Sequence, residues 1–281
     1  MSEKRDGTAS TAALLRAAHM LLDEEPLLIR DPVAMKIVPG LDGAGFDARG
    51  AELERPIARL ARAQAVLRAR YAEDALKRAV ACGVSRYVIL GAGLDTFAYR
   101  QPEWAESLTI IEVDRPEAQV AKRACLSDAG VEPPENLRYL PVDFETGALG
   151  DALDEMISSR PVFFSFLGVC QYLCGEAVDH VLSFIARQVL SSQVAFTFNL
   201  PEDMLTGEER AAARVGADAA AQAGEPWVSC FRPDELIDGL RSLGFRTVEH
   251  LTPREAQIRY FDGRRDGLRA SSVQQCVIAT V

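Results

Sequence analysis

A short apolar run that leads directly into a glycine-rich turn constrains the fold of this chain more than any other feature. Residues 86–100 are RYVILGAGLDTFAYR, in which Tyr87–Leu90 is followed by Gly91-Ala92-Gly93 and then by Asp95. Four consecutive apolar residues, partly β-branched, are typical of a strand buried on both faces of a parallel sheet. The two glycines allow the backbone to turn sharply and a ligand to lie against it. The stretch predicts a ligand-binding turn at the end of a central strand.

Apolar runs and helical patterns alternate along most of the chain. After the first strand, the predicted strands are 108–114, 137–142, 161–167, 193–199, 245–251 and 275–281. The predicted helices are 11–22, 52–81, 116–129, 176–189 and 233–243, with a helical insertion at 201–226. This alternation is typical of a doubly wound α/β sheet. Because no clear crossover helix separates the last two strands, we predict that the last strand is antiparallel.

Composition excludes several classes of partner. The chain has 281 residues, a net charge of -10 and a sequence pI of about 5.0, which argues against nucleic acid or an anionic membrane as its partner. The sequence contains no transmembrane-length apolar run, and its N-terminus lacks the apolar core of a secretory signal. Its six cysteines have no paired C-x-x-C spacing. We therefore expect free thiols, no metal and a cytoplasmic location.

Three predicted strands end in residues that suit an adenosine ligand. The first ends at the glycine turn, and the second ends about twenty residues later at Asp114. A carboxylate at this position can accept hydrogen bonds from both ribose hydroxyls. The third is followed by Asp143 and Phe144, which could accept from the adenine amino group and pack on the base. Because ligands of such sheets lie beyond the carboxyl ends of the strands, these residues predict one adenosine pocket.

The turn favours a cationic adenosine ligand over a dinucleotide. A dinucleotide site has a third glycine where this chain has Thr96, and Asp95 would repel a diphosphate. The same carboxylate would attract an ammonium and a sulfonium. S-adenosylmethionine carries both groups, so the turn predicts this cofactor and a methyltransferase.

An arginine on the helix before the first strand could hold the carboxylate of this cofactor. Arg68 and Arg70 are the candidates, because a guanidinium binds a carboxylate with two hydrogen bonds. Either arginine could instead pair with Glu73 or Asp74 on the same helix. The role of Glu112 also has two alternatives, since its side chain could pair with Lys122 or contact the ligand.

Several ordered motifs together resemble one protein family. They are RARYAEDAL, RYVILGAGLDTFAYR, IIEVDRPEAQVAK, PVDFETG and FLGVCQYL, with TASTAALLRAAH, DPVA, GEPWVSCFRPDEL and RYF elsewhere in the chain. With these motifs the chain resembles the leucine carboxyl methyltransferase superfamily. It is most similar to the bacterial branch of S-adenosylmethionine-dependent O-methyltransferases. The resemblance implies a Rossmann-like, seven-stranded class I methyltransferase sheet with an antiparallel last strand and a helical lid.

The resemblance also assigns residues to the cofactor S-adenosyl-L-methionine. Arg68 would hold its carboxylate, supported by Arg70, and Asp114 would bind the ribose. Asp143 and Phe144 would hold the adenine. Gly91 and Gly93 would line the methionine part with Asp95 close by, and Leu167 and Gly168 would flank the methyl donor. Ala92 and Arg115 complete the predicted cofactor site. No catalytic residue is predicted.

The sequence predicts only the chemical class of the methyl acceptor. His19, Tyr172 and Tyr260 are the candidate substrate-binding residues; His19 would act as a base if the acceptor were a hydroxyl, or would be structural. Eukaryotic members of the family have an acidic residue where this chain has Leu167, which favours a small molecule over a protein terminus. We therefore predict O-methylation of a small-molecule carboxylate or hydroxyl, in a molecule such as a secondary metabolite. A non-catalytic adenosyl-binding regulator and an NAD-dependent oxidoreductase remain alternatives.

The whole chain, 1–281, is predicted to be a single methyltransferase domain. Within it, 1–80 would be N-terminal helices that partly form a lid, and 86–200 the cofactor-binding core. Residues 201–232 would be a lid insertion and 233–281 a closing helix and strands, because insertions on a rigid scaffold commonly carry specificity.

Overall fold

The apolar run before the glycine turn forms β1 (Arg86–Leu90), the third strand from one edge of a sheet. A computed structural model describes residues 7–41, 50–146, 149–157 and 160–281. The other strands within these ranges are β2 (Thr109–Asp114), β3 (Leu137–Pro141), β4 (Phe163–Phe166), β5 (Gln193–Asn199), β6 (Thr247–Leu251) and β7 (Gln274–Thr280).

The strand order is β3-β2-β1-β4-β5-β7-β6, which is a doubly wound sheet. Strands β1 to β5 are parallel to one another, whereas β7 is antiparallel to both β5 and β6. The predicted fold class and the antiparallel last strand are confirmed. The order reverses between β1 and β4, so their carboxyl ends flank the crevice in which such sheets bind ligands.

Helices cover both faces of the sheet. They are α1 (Thr8–Leu22), α2 (Pro32–Ile37), α3 (Pro56–Ala81), α4 (Pro116–Asp128), α5 (Leu149–Ile157), α6 (Gly175–Ala186), α7 (Gly207–Gln222), α8 (Pro233–Leu243) and α9 (Pro253–Ala256). Residues 50–53 form a further helical turn, and a π-helix spans Gln257–Phe261. Proline begins five of these helices (α2, α3, α4, α8 and α9), where its missing N–H would have no intrahelical partner.

Alternate residues of β1 enter two different apolar clusters. Val88 and Leu90 pack with residues of α6 and α8, whereas Tyr87 and Ile89 pack with residues of α3 on the other face. All four are buried, as predicted for a central parallel strand. The glycine turn therefore follows a strand that is held from both sides.

Helix α3 carries the predicted arginine to the end of the sheet. Its 26 residues span roughly 39 Å at 1.5 Å per residue. The buried face is rich in alanine, and small side chains let a helix pack closely against strands; it includes Ala63, Ala72, Ala75 and Ala79. Arg68 is thereby fixed near the middle of the helix, beside the crevice.

A buried ion pair joins β2 to α4. The Lys122 Nζ lies 2.7 Å from Glu112 Oε2, and both side chains are almost completely buried. Glu112 therefore pairs with Lys122 and does not line the crevice, which decides between the two alternatives left by the sequence. Burial raises the pKa of Glu112 to about 7 from its ordinary value of 4.5, against the opposing effect of Lys122.

Among the described helices, none has both the length and the apolar character required to cross a bilayer.

Replacing Lys122 by methionine should destabilise the fold in a pH-dependent manner. A pKa raised by folding contributes stability that is present below pH 4.5 and lost as the pH rises through about 7. Removing the ammonium raises this pKa further, so we expect Lys122→Met to lower the free energy of unfolding by about 3–5 kcal/mol at about pH 8.5 and by much less at about pH 5. Urea denaturation at both pH values measures the effect.

The matched control is Glu112→Gln combined with Lys122→Met, which removes both charges. We expect this double variant to recover most of the loss at the higher pH. An equal loss for Lys122→Met at both pH values would contradict the assignment of a buried, uncompensated carboxylate.

Candidate functional site

A cavity of about 390 Å³ lies at the carboxyl ends of β1, β2 and β4, where the strand order reverses. The structure brings all eleven predicted cofactor residues to its wall, together with Tyr172. They are Arg68, Gly91, Ala92, Gly93, Asp95, Asp114, Arg115, Asp143, Phe144, Leu167 and Gly168. Their individual roles toward a ligand stay predictions, but their convergence on one cavity is a property of the fold.

The glycine turn closes tightly against the neighbouring strands. Gly91 and Gly93 have φ of +67° and +41°, a region that side chains disfavour. A Cβ on Gly91 would lie 2.5 Å from a methyl group of Val169. The Gly93 N–H donates to Asp114 Oδ2 at 2.6 Å, so the turn is tied to the end of β2.

The two strand-end aspartates are held in place by backbone amides. Asp114 Oδ1 accepts from the Arg115 N–H at 2.8 Å, and Asp143 Oδ1 accepts from the Glu145 N–H at 3.0 Å. Asp114 does not cap α4, whose N-cap residue is Arg115. Because each carboxylate oxygen can accept more than one hydrogen bond, Asp114 keeps acceptor capacity for a ligand hydroxyl.

Arg68 lies directly beneath Gly168. A Cβ at Gly168 would be 2.3 Å from Arg68 Nη1, so only glycine leaves room for the guanidinium. Arg68 Nη1 donates to Gln274 Oε1 at 3.1 Å, and no carboxylate among the described residues lies within ion-pair distance of it. Burial lowers the pKa of this guanidinium. Arg70, in contrast, forms an ion pair with Asp74 at 2.9 Å. This pairing is the alternative to cofactor binding that the sequence left open for Arg70.

The sequence did not single out Arg16, which borders the same cavity. Its Nε donates to Asp31 Oδ2 at 2.8 Å, and its Nη2 donates to the Leu94 carbonyl in the glycine turn at 2.6 Å. Asp31 is fully buried and also accepts from Thr96 Oγ1 at 2.6 Å. Burial would raise the pKa of Asp31, but Arg16 and Arg100 outweigh it and hold the pKa below its ordinary value. Helices α1 and α2 are thereby anchored to the turn.

Glu225, also missed from the sequence, closes the cavity from the side of α7. Its Oε2 accepts from the Thr8 N–H at 3.0 Å, and its Oε1 lies 3.6 Å from Arg115 Nη2. Thr8 begins α1, so this carboxylate satisfies a free amide at the positive end of the helix dipole. No local sequence signal predicts this contact, because 217 residues separate its partners.

The structure does not bring His19 to the cavity, which corrects its predicted role as a base or substrate contact. His19 is fully buried, and its Nδ1 lies 2.7 Å from Asp23 Oδ2. Its Nε2 accepts from the Leu28 N–H at 3.0 Å, so Nδ1 carries the proton and both nitrogens are engaged. Arg62 binds the same Asp23 with two hydrogen bonds, which completes a structural cluster.

Tyr260 is also outside this cavity and lines another one, of about 360 Å³, so the structure does not bring it to the other predicted site residues. Its hydroxyl donates to Asp74 Oδ2 at 3.1 Å, and the Arg259 guanidinium lies 5.0 Å from its ring centre. Of the three predicted substrate residues, Tyr172 alone lines the cavity.

A second cavity of about 180 Å³ adjoins the first and was not predicted. Thr8, Ala12, Ala65, Arg68 and Tyr172 belong to the walls of both. The rest of the second wall consists mostly of apolar residues, together with the hydroxyl of Thr11, the indole of Trp227 and four amides, which are Gln64, Gln171, Asn199 and Gln274. In the part of the chain that the structure describes, Arg68 and Tyr172 are the only ionisable side chains that line it.

Comparison with known families gives one match that covers most of the chain. Residues 9–186 match the family model described as leucine carboxyl methyltransferase. A Bacillus subtilis (strain 168) protein named "Putative S-adenosyl-L-methionine-dependent methyltransferase YktD" is 36% identical over 206 residues, which are 72% of this chain and 67% of that protein. A protein of Mycolicibacterium paratuberculosis (strain ATCC BAA-968 / K-10), named "Putative S-adenosyl-L-methionine-dependent methyltransferase", is 31% identical over 193 residues, or 63% of this chain and 60% of that protein. The chain thus aligns with less than two thirds of the second relative.

Two solved structures share the fold across almost the whole chain. A "putative methyltransferase" from Thermobifida fusca YX has a TM-score of 0.61 and 16% identity, covering 99% of this chain and 96% of its own. A DUF574 family protein from Streptomyces avermitilis MA-4680 has a TM-score of 0.55 and 16% identity, and the match covers 99% of this chain and 98% of that protein. At this identity the likeness establishes the fold alone.

Adding a methyl group at Gly168 should destabilise the fold, because this residue has a left-handed backbone and lies against Arg68. Gly168→Ala places a Cβ against the guanidinium at a φ of +69°, and we expect it to lower the free energy of unfolding by about 1–2 kcal/mol from backbone strain alone. Urea denaturation measures the loss. The control is Gly239→Ala in α8, where a Cβ meets nothing within 4 Å and alanine should stabilise the helix. Equal stability of the two variants would contradict the left-handed backbone conformation of Gly168.

Proposed function

The chain belongs to the leucine carboxyl methyltransferase family and uses S-adenosylmethionine as its cofactor, and on this premise we propose that it methylates a carboxylate oxygen of a small molecule. The observation that carries the proposal is the position of Arg68. This guanidinium has no carboxylate partner among the described residues and lies where the two cavities meet.

The first cavity fits the cofactor. Arg68 offers a buried cation to its carboxylate, and the tight turn at Gly91 leaves no space for a side chain. Asp114 retains acceptor capacity for the ribose, and Asp143 with Phe144 borders the region predicted for adenine. A volume of about 390 Å³ lies within the range of small-molecule sites.

The second cavity supports an acceptor that is ionised before it binds. S-adenosylmethionine, when bound, supplies a methyl group that its sulfonium has already made electrophilic. Within the described ranges, no carboxylate or imidazole lines the second cavity, so none of these side chains offers a strong general base to an incoming acceptor. A carboxylate needs none, because it is ionised at neutral pH. The chain's own contribution is then to orient the acceptor and to exclude water.

The cover of the site supports a small acceptor. We propose the organisation predicted from the sequence, with 86–200 as the cofactor core and with 201–232 and part of 1–80 as the lid. The Thr8–Glu225 hydrogen bond joins these two covering segments. With the lid in this position, the second cavity of about 180 Å³ admits a metabolite-sized group.

Removing the charge of Asp114 should weaken cofactor binding without unfolding the chain. We expect Asp114→Asn to lower the affinity for S-adenosylmethionine by about 1.5–3 kcal/mol, because a hydrogen bond to a charged acceptor is lost. Isothermal titration calorimetry measures the change. Asp179→Ala on the exposed side of α6 is the control, and unchanged affinity in Asp114→Asn would remove this residue from the site.

The chemical nature of the product separates the proposal from its alternatives. With methyl-labelled S-adenosylmethionine and a panel of carboxylic acids and phenols, we expect label that alkali releases as volatile methanol, since esters hydrolyse and aryl ethers do not. Alkali-stable label would mean a hydroxyl acceptor. Cofactor binding without transfer to any member of the panel would favour the non-catalytic alternative.

A further inference from the structure

Three helices each turn one face toward the second cavity. Their wall residues follow the spacing i, i+3, i+4 and i+7, which places four side chains on one side of a helix. They are Thr8, Thr11, Ala12 and Leu15 of α1, Ala61, Gln64, Ala65 and Arg68 of α3, and Gly216, Ala219, Ala220 and the C-cap residue Ala223 of α7. The second cavity therefore lies among α1, α3 and α7.

The face that α7 contributes has no side chain larger than a methyl group. Glycine is unfavourable in the interior of a helix, yet Gly216 occupies such a position. A Cβ there would lie 2.9 Å from Trp227 Cη2, so the glycine lets the indole pack against α7. Trp227 lines the cavity as well. Larger side chains on this face would fill the volume of about 180 Å³ that the small residues leave open.

A ligand can reach this cavity from solvent. The cavity is partly open, and Thr11, Ala219 and Ala223 in its wall are exposed residues. It also adjoins the first cavity, with which it shares Arg68 and Tyr172. This position gives an acceptor a path to the cofactor cavity.

Charge is present only where the two cavities meet. Among the wall residues that the structure describes, Arg68 and Tyr172 are the only ionisable ones, and both belong to both walls. Arg68 has no carboxylate partner within the described ranges, so its charge is available to an anion. The described residues that line the second cavity alone are uncharged, and most are apolar. A carboxylate is therefore favoured beside Arg68, whereas a charge elsewhere in this cavity would lack a partner.

We propose that the second cavity holds an uncharged, apolar tail of the acceptor, about the size of one six-membered ring, with the reacting carboxylate at the Arg68 end. A cavity of about 150 Å³ holds benzene, so about 180 Å³ accommodates such a tail. Ala219 and Trp227 limit its size. The inference rests on the proposed function, because it places a carboxylate acceptor beside the cofactor cavity.

Two acids that differ only in a tail carboxylate test the charge distribution. We would titrate phenylacetate and para-carboxyphenylacetate by calorimetry, with and without S-adenosylhomocysteine. We expect phenylacetate to bind at least about tenfold more tightly, because the second carboxylate of the other acid would lie among uncharged residues. Equal affinities, or no binding of phenylacetate, would overturn the proposal.

Two variants test the wall of the cavity by the same titrations. Ala219→Leu narrows the cavity, and we expect it to weaken phenylacetate binding by at least about tenfold and to leave S-adenosylhomocysteine affinity within about twofold. Ala221→Leu is the matched control, since Ala221 is an exposed alanine of α7 outside the walls of both cavities, and it should change neither affinity. Unchanged phenylacetate binding in Ala219→Leu would contradict the assignment.

Trp227→Leu gives a test that relies on a gain of binding. Because leucine is smaller than tryptophan, we expect this variant to shift preference from phenylacetate toward the larger naphthylacetate by about tenfold. An unchanged preference in a variant with native circular dichroism would mean that Trp227 does not limit the tail.

The outcomes separate this inference from the proposed function. If S-adenosylhomocysteine does not bind, but phenylacetate binds and Ala219→Leu weakens it, the proposed function fails and the apolar subsite stands. If the chain forms alkali-labile methyl esters, but Ala219→Leu binds phenylacetate as well as the unaltered chain does, the subsite fails and the function stands.

Discussion

The guanidinium of Arg68 is the group on which the rest of the site depends. Helix α3 carries it to the junction of the two cavities, and a glycine at position 168 is required to leave room for it. On one side it offers a positive charge to the first cavity. On the other side it donates to Gln274, which donates in turn to Asn199 Oδ1, and both amides belong to the wall of the second cavity. One buried cation therefore contributes a positive charge to the first cavity and begins a hydrogen-bond chain in the wall of the adjoining one.

Two contacts of unequal strength hold the segments that we propose as the lid. Arg16 and Asp31 form a buried ion pair that fixes the N-terminal helices to the glycine turn. Breaking such a pair is expensive, because it leaves a charge buried without a partner. The contact between Thr8 and Glu225 is less buried and is open to competition from water. If the proposed lid opens to admit ligands, we expect the opening to start at Thr8 and Glu225, with Arg16 and Asp31 as the anchor.

His19 is a potentially reactive side chain that has a structural role in this fold. A histidine on a helix near the pocket is a reasonable candidate base from sequence alone. In the fold, the Leu28 amide and the Asp23 carboxylate engage both ring nitrogens. The imidazole holds the chain that follows α1 and has no nitrogen left for chemistry. Losing this candidate base shifts the interpretation toward an acceptor that is already ionised.

The sequence by itself determined the sheet and the acidic strand ends. Apolar runs, glycines and proline-initiated helices are local signals, and parallel strands bring their carboxyl ends to one edge of a sheet. These local signals are therefore sufficient to predict that Asp114 and Asp143 lie near the glycine turn. Only the tertiary structure decided the rest of the site. Arg16, Glu225 and the amides of the second cavity meet partners tens to hundreds of residues away, and such contacts depend on how helices pack, which leaves no local pattern in the chain.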